Sequence, residues 1–193
     1  MVIHILRHGK TMANEKRLYC GSTDLPLSPG GIEELATFKA EGIYPQAGTV
    51  FISGLQRAGQ TADVIYGDIQ QIAVADLNEY DFGDFEMISY DDLKGRDDFK
   101  AWISDKTGEI SCPGGESMNQ FKDRVTRGFE AVMSTLQADT KHPALIVSHG
   151  GVIVSIMERL FPETHNYYEW QPATGRGYTI EFDGDEPKGY RKI

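Results

Sequence analysis

Short apolar runs rich in β-branched residues recur at 2–6, Thr49–Ile52 and 144–147, each bounded by polar or glycine-containing segments. Runs of this length and composition predict buried strands, and residues 72–75 and 178–182 carry the same signal. Between them the apolar positions fall at helical spacing. Ile32, Leu35 and Ala36 follow "LSPGG", where Ser28 fits an N-cap and Pro29 a first helical residue, in a helix closing near Gly42. A second helix is expected over 58–66, with Gly67 as its stop. Behind "CPGGES", residues Met118, Phe121, Val125, Phe129, Val132 and Leu136 form one apolar stripe that predicts the longest helix, and Ser117 with Gln120 fits a capping box. A last helix is expected over 151–160, ended by Pro162.

Strands alternating with helices predict an α/β domain: a three-layer α/β/α sandwich with a mostly parallel central sheet and helices on both faces. The 193 residues suit one domain over 1–193. Residues 88–112, rich in Asp and Lys, read as an insertion with one or two short helices, and "DGDE" at 183–186 reads as a turn. A hydrophobic fraction of 40% and a charged fraction of 25% match a globular chain with no low-complexity tract.

Charge narrows the function classes. A formal net charge of −10 argues against binding nucleic acid through a general basic surface. It leaves room for a small anionic substrate, because charges are screened over about 8 Å at physiological salt and a local arginine cluster can act alone. No run approaches membrane-spanning length and only six residues precede the first arginine, Arg7, too few for the apolar core of a signal peptide, so a cytoplasmic protein without a membrane partner is expected. Cys20 and Cys112 stand apart from any C-x-x-C or metal spacing and are expected to be free thiols.

The reactive residue types follow the strands. "RHG", "SGLQR", "NEYDFG" and "SHGG" come after the first four, and in a parallel sheet such segments emerge at one carboxyl edge, where open α/β sheets bind ligands. "HILRHGKT" ends like a nucleotide-binding P-loop, but G-x-x-x-x-G-K-[ST] requires glycine where this chain has His4. Lys10 and Thr11 are then ordinary loop residues. His8 and His149 lack metal-ligand spacing, and Arg7 and Arg57 would repel a divalent cation, so no metal and no cofactor are expected. Phosphoryl transfer suits the set. A neutral His8 imidazole can attack phosphorus, arginine charge disfavours its protonation, and the guanidinium forks of Arg7 and Arg57 match phosphate oxygens. His149 stands before Gly150-Gly151 at a helix start that itself favours an anion.

Taken together, "LRHGKT", "SGLQRAGQTA", "LNEYDFGDFE", "PGGES" and "VSHGGVI" resemble the histidine phosphatase superfamily, in the branch that holds cofactor-dependent phosphoglycerate mutases and α-ribazole phosphatases. The resemblance implies a phosphoglycerate mutase-like fold. It implies that His8 becomes phosphohistidine, that Arg7, Arg57 and His149 form the phosphate pocket with Asn14 as a further contact, and that Glu79 is the general acid, while Gly150, at the helix start, is expected to bind substrate too. Phe85-Glu86-Met87 stands where the family often has tryptophan, glutamate and glycine. The chain's length, "FGDFE" and "PGGES" most resemble α-ribazole phosphatases, implying hydrolysis of a small phosphomonoester such as α-ribazole-5'-phosphate of cobalamin synthesis. A phosphoglycerate mutase and a non-catalytic phosphoryl-binding module remain the alternatives. Phe85, Tyr90, Phe99 and Trp102, in or near the insertion, are either helix core or a stacking surface for a substrate ring.

Overall fold

A computed structural model describes residues 1–136, 142–162 and 164–193. In chain order the elements are β1 (Val2–Arg7), α1 (Met12–Glu15), α2 (Pro29–Ala40), β2 (Thr49–Ile52), α3 (Gln56–Tyr66), β3 (Gln71–Ala73), α4 (Tyr90–Leu93), α5 (Asp97–Ser104), α6 (Met118–Leu136), β4 (Ala144–Ser148), α7 (Gly150–Leu160), α8 (Tyr167–Trp170), β5 (Gly177–Asp183) and β6 (Glu186–Lys192). The strands form one mixed sheet in the order β3-β2-β4-β1-β5-β6. The first four are mutually parallel, whereas β5 and β6 run antiparallel at one edge. The expected α/β architecture is thus observed.

Side chains alternate between the two faces of the central strands, and each face has its own core. Ile3, Ile5, Phe51 and Ile146 pack with Phe121, Val125 and Phe129 of α6 and with Val152 and Ile156 of α7. Leu6, Val50, Leu145 and Val147 point the other way, onto Leu35 of α2 and Ala58, Ala62 and Ile65 of α3. Helices therefore cover both faces. Among the described residues, no helix is long and apolar enough to cross a membrane.

The helix ends obey the sequence signals. Ser28 Oγ accepts from the Gly31 N–H at 3.1 Å with Pro29 behind it, although α2 closes at Ala40, two residues short of Gly42. Ser117 and Gln120 exchange the two capping-box bonds, at 3.3 and 2.9 Å. Helix α3 begins at Gln56 rather than 58, and α7 at Gly150 rather than 151. The third strand ends at Ala73, because the chain turns into a 3₁₀ segment at Ala75–Leu77. Residues 90–104 hold two short helices, α4 and α5.

Strand β6 was not foreseen. Its sequence "EPKGYRK" lacks an apolar run, and the strand needs none, because it lies at the sheet edge with most of its side chains half-buried or exposed. Proline, glycine and lysine there are edge-strand residues. The "DGDE" segment is the turn of the β5–β6 hairpin, with Gly184 at φ 59°.

Candidate active site

Parallel pairing places two histidines side by side. Arg7 and Ser148 are register partners at the ends of β1 and β4, so the next residues, His8 and His149, leave adjacent strands together. Their ring centroids are 5.1 Å apart, close to the spacing of neighbouring strands. Beside them, Ile52 of β2 pairs with Val147, which brings Ser53 to the same edge.

Glu79 arrives by a longer route. After β3 the segment 74–79 runs back across the strand ends, held by Ser148 Oγ donating to the Leu77 carbonyl at 2.7 Å and by Gly54 N–H donating to Asn78 Oδ1 at 2.6 Å. Two backbone donors then fix the Glu79 carboxylate: Tyr80 N–H to Oε1 and Gly151 N–H, in the first turn of α7, to Oε2, both at 3.0 Å. A carboxylate at a helix N-terminus is also favoured by the helix dipole.

Both arginines are held by neutral carbonyls. Arg7 Nη1 donates to Pro172 O at 2.9 Å, while Arg57 donates from Nη1 to Thr23 O at 2.8 Å and from Nη2 to Gly21 O at 2.7 Å. Arg57 is only 1% exposed.

The hydrogen bonds settle the tautomer of His8. Its Nδ1 lies 2.7 Å from the Gly9 carbonyl oxygen, which can only accept, so Nδ1 carries the proton and Nε2 of the neutral ring carries the lone pair. Burial, then the charges of Arg57 and Arg7, hold the imidazole well below the usual histidine range and keep it neutral. For His149, burial comes first, and the neighbouring His8, Arg57, Arg7 and Arg124 act in the same direction. Its Nε2 lies 2.7 Å from Ser53 Oγ, which also accepts from Leu55 N–H at 3.4 Å. The hydroxyl keeps a second lone pair, so it can accept from Nε2 or donate to it, and in the second case His149 Nδ1 carries the proton.

That Nδ1 has no hydrogen-bond partner, and neither has the buried Nε of Arg7. Buried polar atoms are rarely left unsatisfied. Both belong to residues next to His8, one in sequence and one across 5.1 Å between ring centroids, and Arg7 Nε, always a donor, suits an oxyanion oxygen. Gly150 keeps the space beside Arg7 open, since a Cβ there would come within 3.3 Å of Arg7 Cζ and 2.9 Å of Gln171 Nε2.

Of the expected residues, the structure thus gathers Arg7, His8, Arg57, Glu79, His149 and Gly150. Asn14 serves a cap: its Oδ1 accepts from Thr11 N–H at 2.9 Å and from the Thr11 hydroxyl at 3.0 Å, leaving only its amide N–H groups for another partner. Lys10 Nζ pairs with Glu34 at 2.7 Å, consistent with a structural loop residue. Among the described residues, no group of three or more His, Cys, Asp and Glu side chains is placed to hold a metal ion. Cys20 and Cys112 are free, and burial pushes both thiols up, so neither is an activated nucleophile.

A cleft of about 620 Å³ opens from Arg7 and Glu79, walled by Tyr19, Phe82, Trp102 and Tyr167. Phe85 and Phe99 are fully buried and belong to the core, Tyr90 is an exposed residue packed on Phe99, and Trp102 packs against Phe85 and Phe99 while also lining the cleft. Sequence reasoning missed Ser53, Arg124 and Glu116. Arg124 donates to the carbonyls of Asp76, Asn78 and Glu79 at 2.9, 2.9 and 3.2 Å and pairs with Glu116 at 2.6 Å, gripping the backbone that carries Glu79. Glu116 sits in the quoted "PGGES" block, but nothing in one sequence links it to a partner eight residues on.

This fold and site define a phosphoryl-handling α/β protein, and the family follows. The model of the histidine phosphatase superfamily (branch 1) matches residues 3–191, and the chain belongs to that superfamily. It is 36% identical over 165 residues to the adenosylcobalamin/alpha-ribazole phosphatase of Escherichia coli, covering 83% of this chain and 79% of the relative. It is 31% identical over 176 residues to a 2,3-bisphosphoglycerate-dependent phosphoglycerate mutase of Azorhizobium caulinodans, covering 82% of each. The crystal structure of the alpha-ribazole phosphatase from Shigella flexneri superposes with a TM-score of 0.84 at 30% identity, over 97% of this chain and 93% of that one.

Proposed function

We propose that this protein hydrolyses a phosphomonoester through a phosphohistidine on His8. The observation that carries this reading is the buried neutral imidazole whose Nδ1–H is anchored on Gly9 O, leaving the Nε2 lone pair for phosphorus. The arginines, joined by His149 in the tautomer that carries its proton on Nδ1, bind the phosphate oxygens and stabilise their charge in the transition state. Asn14 adds a contact through its free amide N–H groups. The Glu79 carboxylate takes a proton from the substrate's phosphate monoanion as that phosphate settles against the arginines as a dianion; Nε2 then attacks phosphorus as the bond to the ester oxygen breaks, and Glu79 passes the proton to that oxygen, releasing the alcohol. The Glu79 carboxylate then takes a proton from water, whose oxygen attacks the phosphohistidine, and inorganic phosphate leaves.

The substrate is a ring-bearing small-molecule phosphate, with α-ribazole-5'-phosphate the foremost candidate. Its support is the aromatic wall of the cleft together with the names of the relatives that share most of this chain's length. Incubation with p-nitrophenyl phosphate should give turnover without added metal, and His8→Ala should abolish it. Metal-dependent turnover that survives His8→Ala would refute the mechanism, and a folded wild type that binds phosphate without turnover would make the chain a binding module. Rates on α-ribazole phosphate, 3-phosphoglycerate, sugar phosphates and nucleotides then rank the substrates. Interconversion of 2- and 3-phosphoglycerate faster than phosphate release would establish the mutase alternative.

A further inference from the structure

The Glu86 carboxylate is spent on the backbone of one loop. Its Oε1 accepts from the N–H groups of Gly21 and Ser22 at 2.9 Å each and of Phe82 at 3.2 Å, while the Ser22 hydroxyl donates to Asp81 Oδ1 at 2.8 Å. Its Oε2 accepts from Gly21 N–H at 3.0 Å and Thr23 N–H at 3.3 Å. Successive backbone N–H groups converging on one anion form a nest, here occupied by the protein's own carboxylate.

The other side of the same loop faces a cation. Gly21 O and Thr23 O are the two carbonyls that hold the Arg57 guanidinium. The peptide group joining Gly21 to Ser22 takes part on both sides, its N–H donating to Glu86 Oε1 at 2.9 Å and its C=O accepting from Arg57 Nη2 at 2.7 Å. In a trans peptide these groups point in opposite directions, so the peptide dipole lies with its positive end on the carboxylate and its negative end on the guanidinium. Each bond polarises the next. Gly21 is required for this packing, since a Cβ there would run into the Tyr80 carbonyl.

We propose that Glu86 is a positioning residue for Arg57: through the 21–22 peptide and the Thr23 carbonyl it fixes the plane of the guanidinium that grips phosphate. This rests on the phosphate-binding role given to Arg57 above. Glu86 touches no reacting atom. Two acceptor oxygens are needed, because an amide at position 86 would turn an NH₂ group toward the N–H of either Thr23 or Ser22.

The experiment is a double-mutant cycle on the full chain with Glu86→Gln and Arg57→Lys, read by orthovanadate binding in calorimetry and by kcat and KM on p-nitrophenyl phosphate. Glu86→Gln should weaken vanadate binding and kcat/KM by about tenfold, but by less than about threefold further once Arg57 is lysine, the signature of coupled residues. Thermal unfolding confirms that each variant is folded, and Glu86→Asp, whose shorter arm cannot span the nest, replaces Glu86→Gln if the latter is not. A folded Glu86 variant that binds vanadate within threefold of wild type would overturn the proposal, as would an equal fold-loss in both backgrounds. Failure of the wild type to turn over p-nitrophenyl phosphate would refute the hydrolase reading instead, while the vanadate cycle still decides the role of Glu86.

Discussion

Gly151→Ala tests how closely Glu79 must be held. The Gly151 N–H donates to Glu79 Oε2 at 3.0 Å, and a Cβ on the same residue would stand 2.6 Å from Oε1. Ordinary contact begins near 3.4 Å, so the carboxylate must retreat by about 0.8 Å, which disturbs its bonds from both N–H groups. Misplacing a reacting group by ~1 Å can lower a rate by about 10²-fold, which corresponds to about 2.7 kcal/mol of barrier. Stability should change little, because alanine in a helix is up to ~1 kcal/mol better than glycine and offsets part of the strain. The assay is kcat/KM, which reports transfer to His8, on an alkyl phosphate and on p-nitrophenyl phosphate. The alkoxide leaving group needs a proton and p-nitrophenolate does not, so the loss should approach 10²-fold on the alkyl ester and stay several-fold on the aryl ester. Equal losses on both substrates, or none, would refute the assignment of Glu79 as the acid.

Three further outcomes follow from the same geometry. His8 and His149 have folded pKa values depressed below the unfolded 6.5, so as pH falls through 6.5 the unfolded chain binds protons that the native state does not. Stability should then drop by up to about 1.4 kcal/mol per pH unit for each histidine, and a urea midpoint series in which His149→Asn leaves the slope unchanged would contradict this. Arg124→Met strips Glu116 and three carbonyls of their partner. It should destabilise by less than the ~3–5 kcal/mol of a fully buried pair, since both side chains keep some solvent, and adding Glu116→Gln should recover part of the loss in chemical denaturation. Tyr168 lines the cleft but is 84% exposed, so Tyr168→Ala should shift stability by no more than ~0.5 kcal/mol. It should raise KM several-fold for α-ribazole phosphate and leave 3-phosphoglycerate unchanged, a competition assay showing equal effects being the contrary result.

What could be read from the chain follows the range of the physics involved. Residues that act at a strand end were legible, because an apolar run followed by Arg7-His8 or Ser148-His149 places those side chains at the carboxyl edge whatever the packing. Helix caps at Ser28 and Ser117 are decided within four residues and were equally legible. Contacts between segments remote in sequence were not. Ser53 was read only as the start of a block, and its bond to His149 spans 96 positions. Arg124 looked like one more polar residue between the apolar positions of α6, and Glu86 like a member of an acidic loop. Strand β6 escaped because an edge strand can form from residues with no period-2 apolar signal.

The charges of the site share a mode of support that explains why its nucleophile is poised. Among the described residues, neither Arg7 nor Arg57 has a carboxylate within ion-pair distance; both are held by backbone carbonyls, and Glu79 is held by backbone N–H groups. Carboxylate partners would have satisfied the arginines and neutralised them. Neutral dipoles orient them and leave two positive charges acting on His8 in the free protein, on a chain whose net charge is −10. Burial first, and then those charges, keep Nε2 unprotonated, which an imidazole nucleophile requires. The charges also weaken its basicity, and in the proposed mechanism the substrate reverses that effect. A phosphate dianion lying against both guanidiniums offsets their field at His8, so the lone pair regains donor strength only when the atom it must attack is in place.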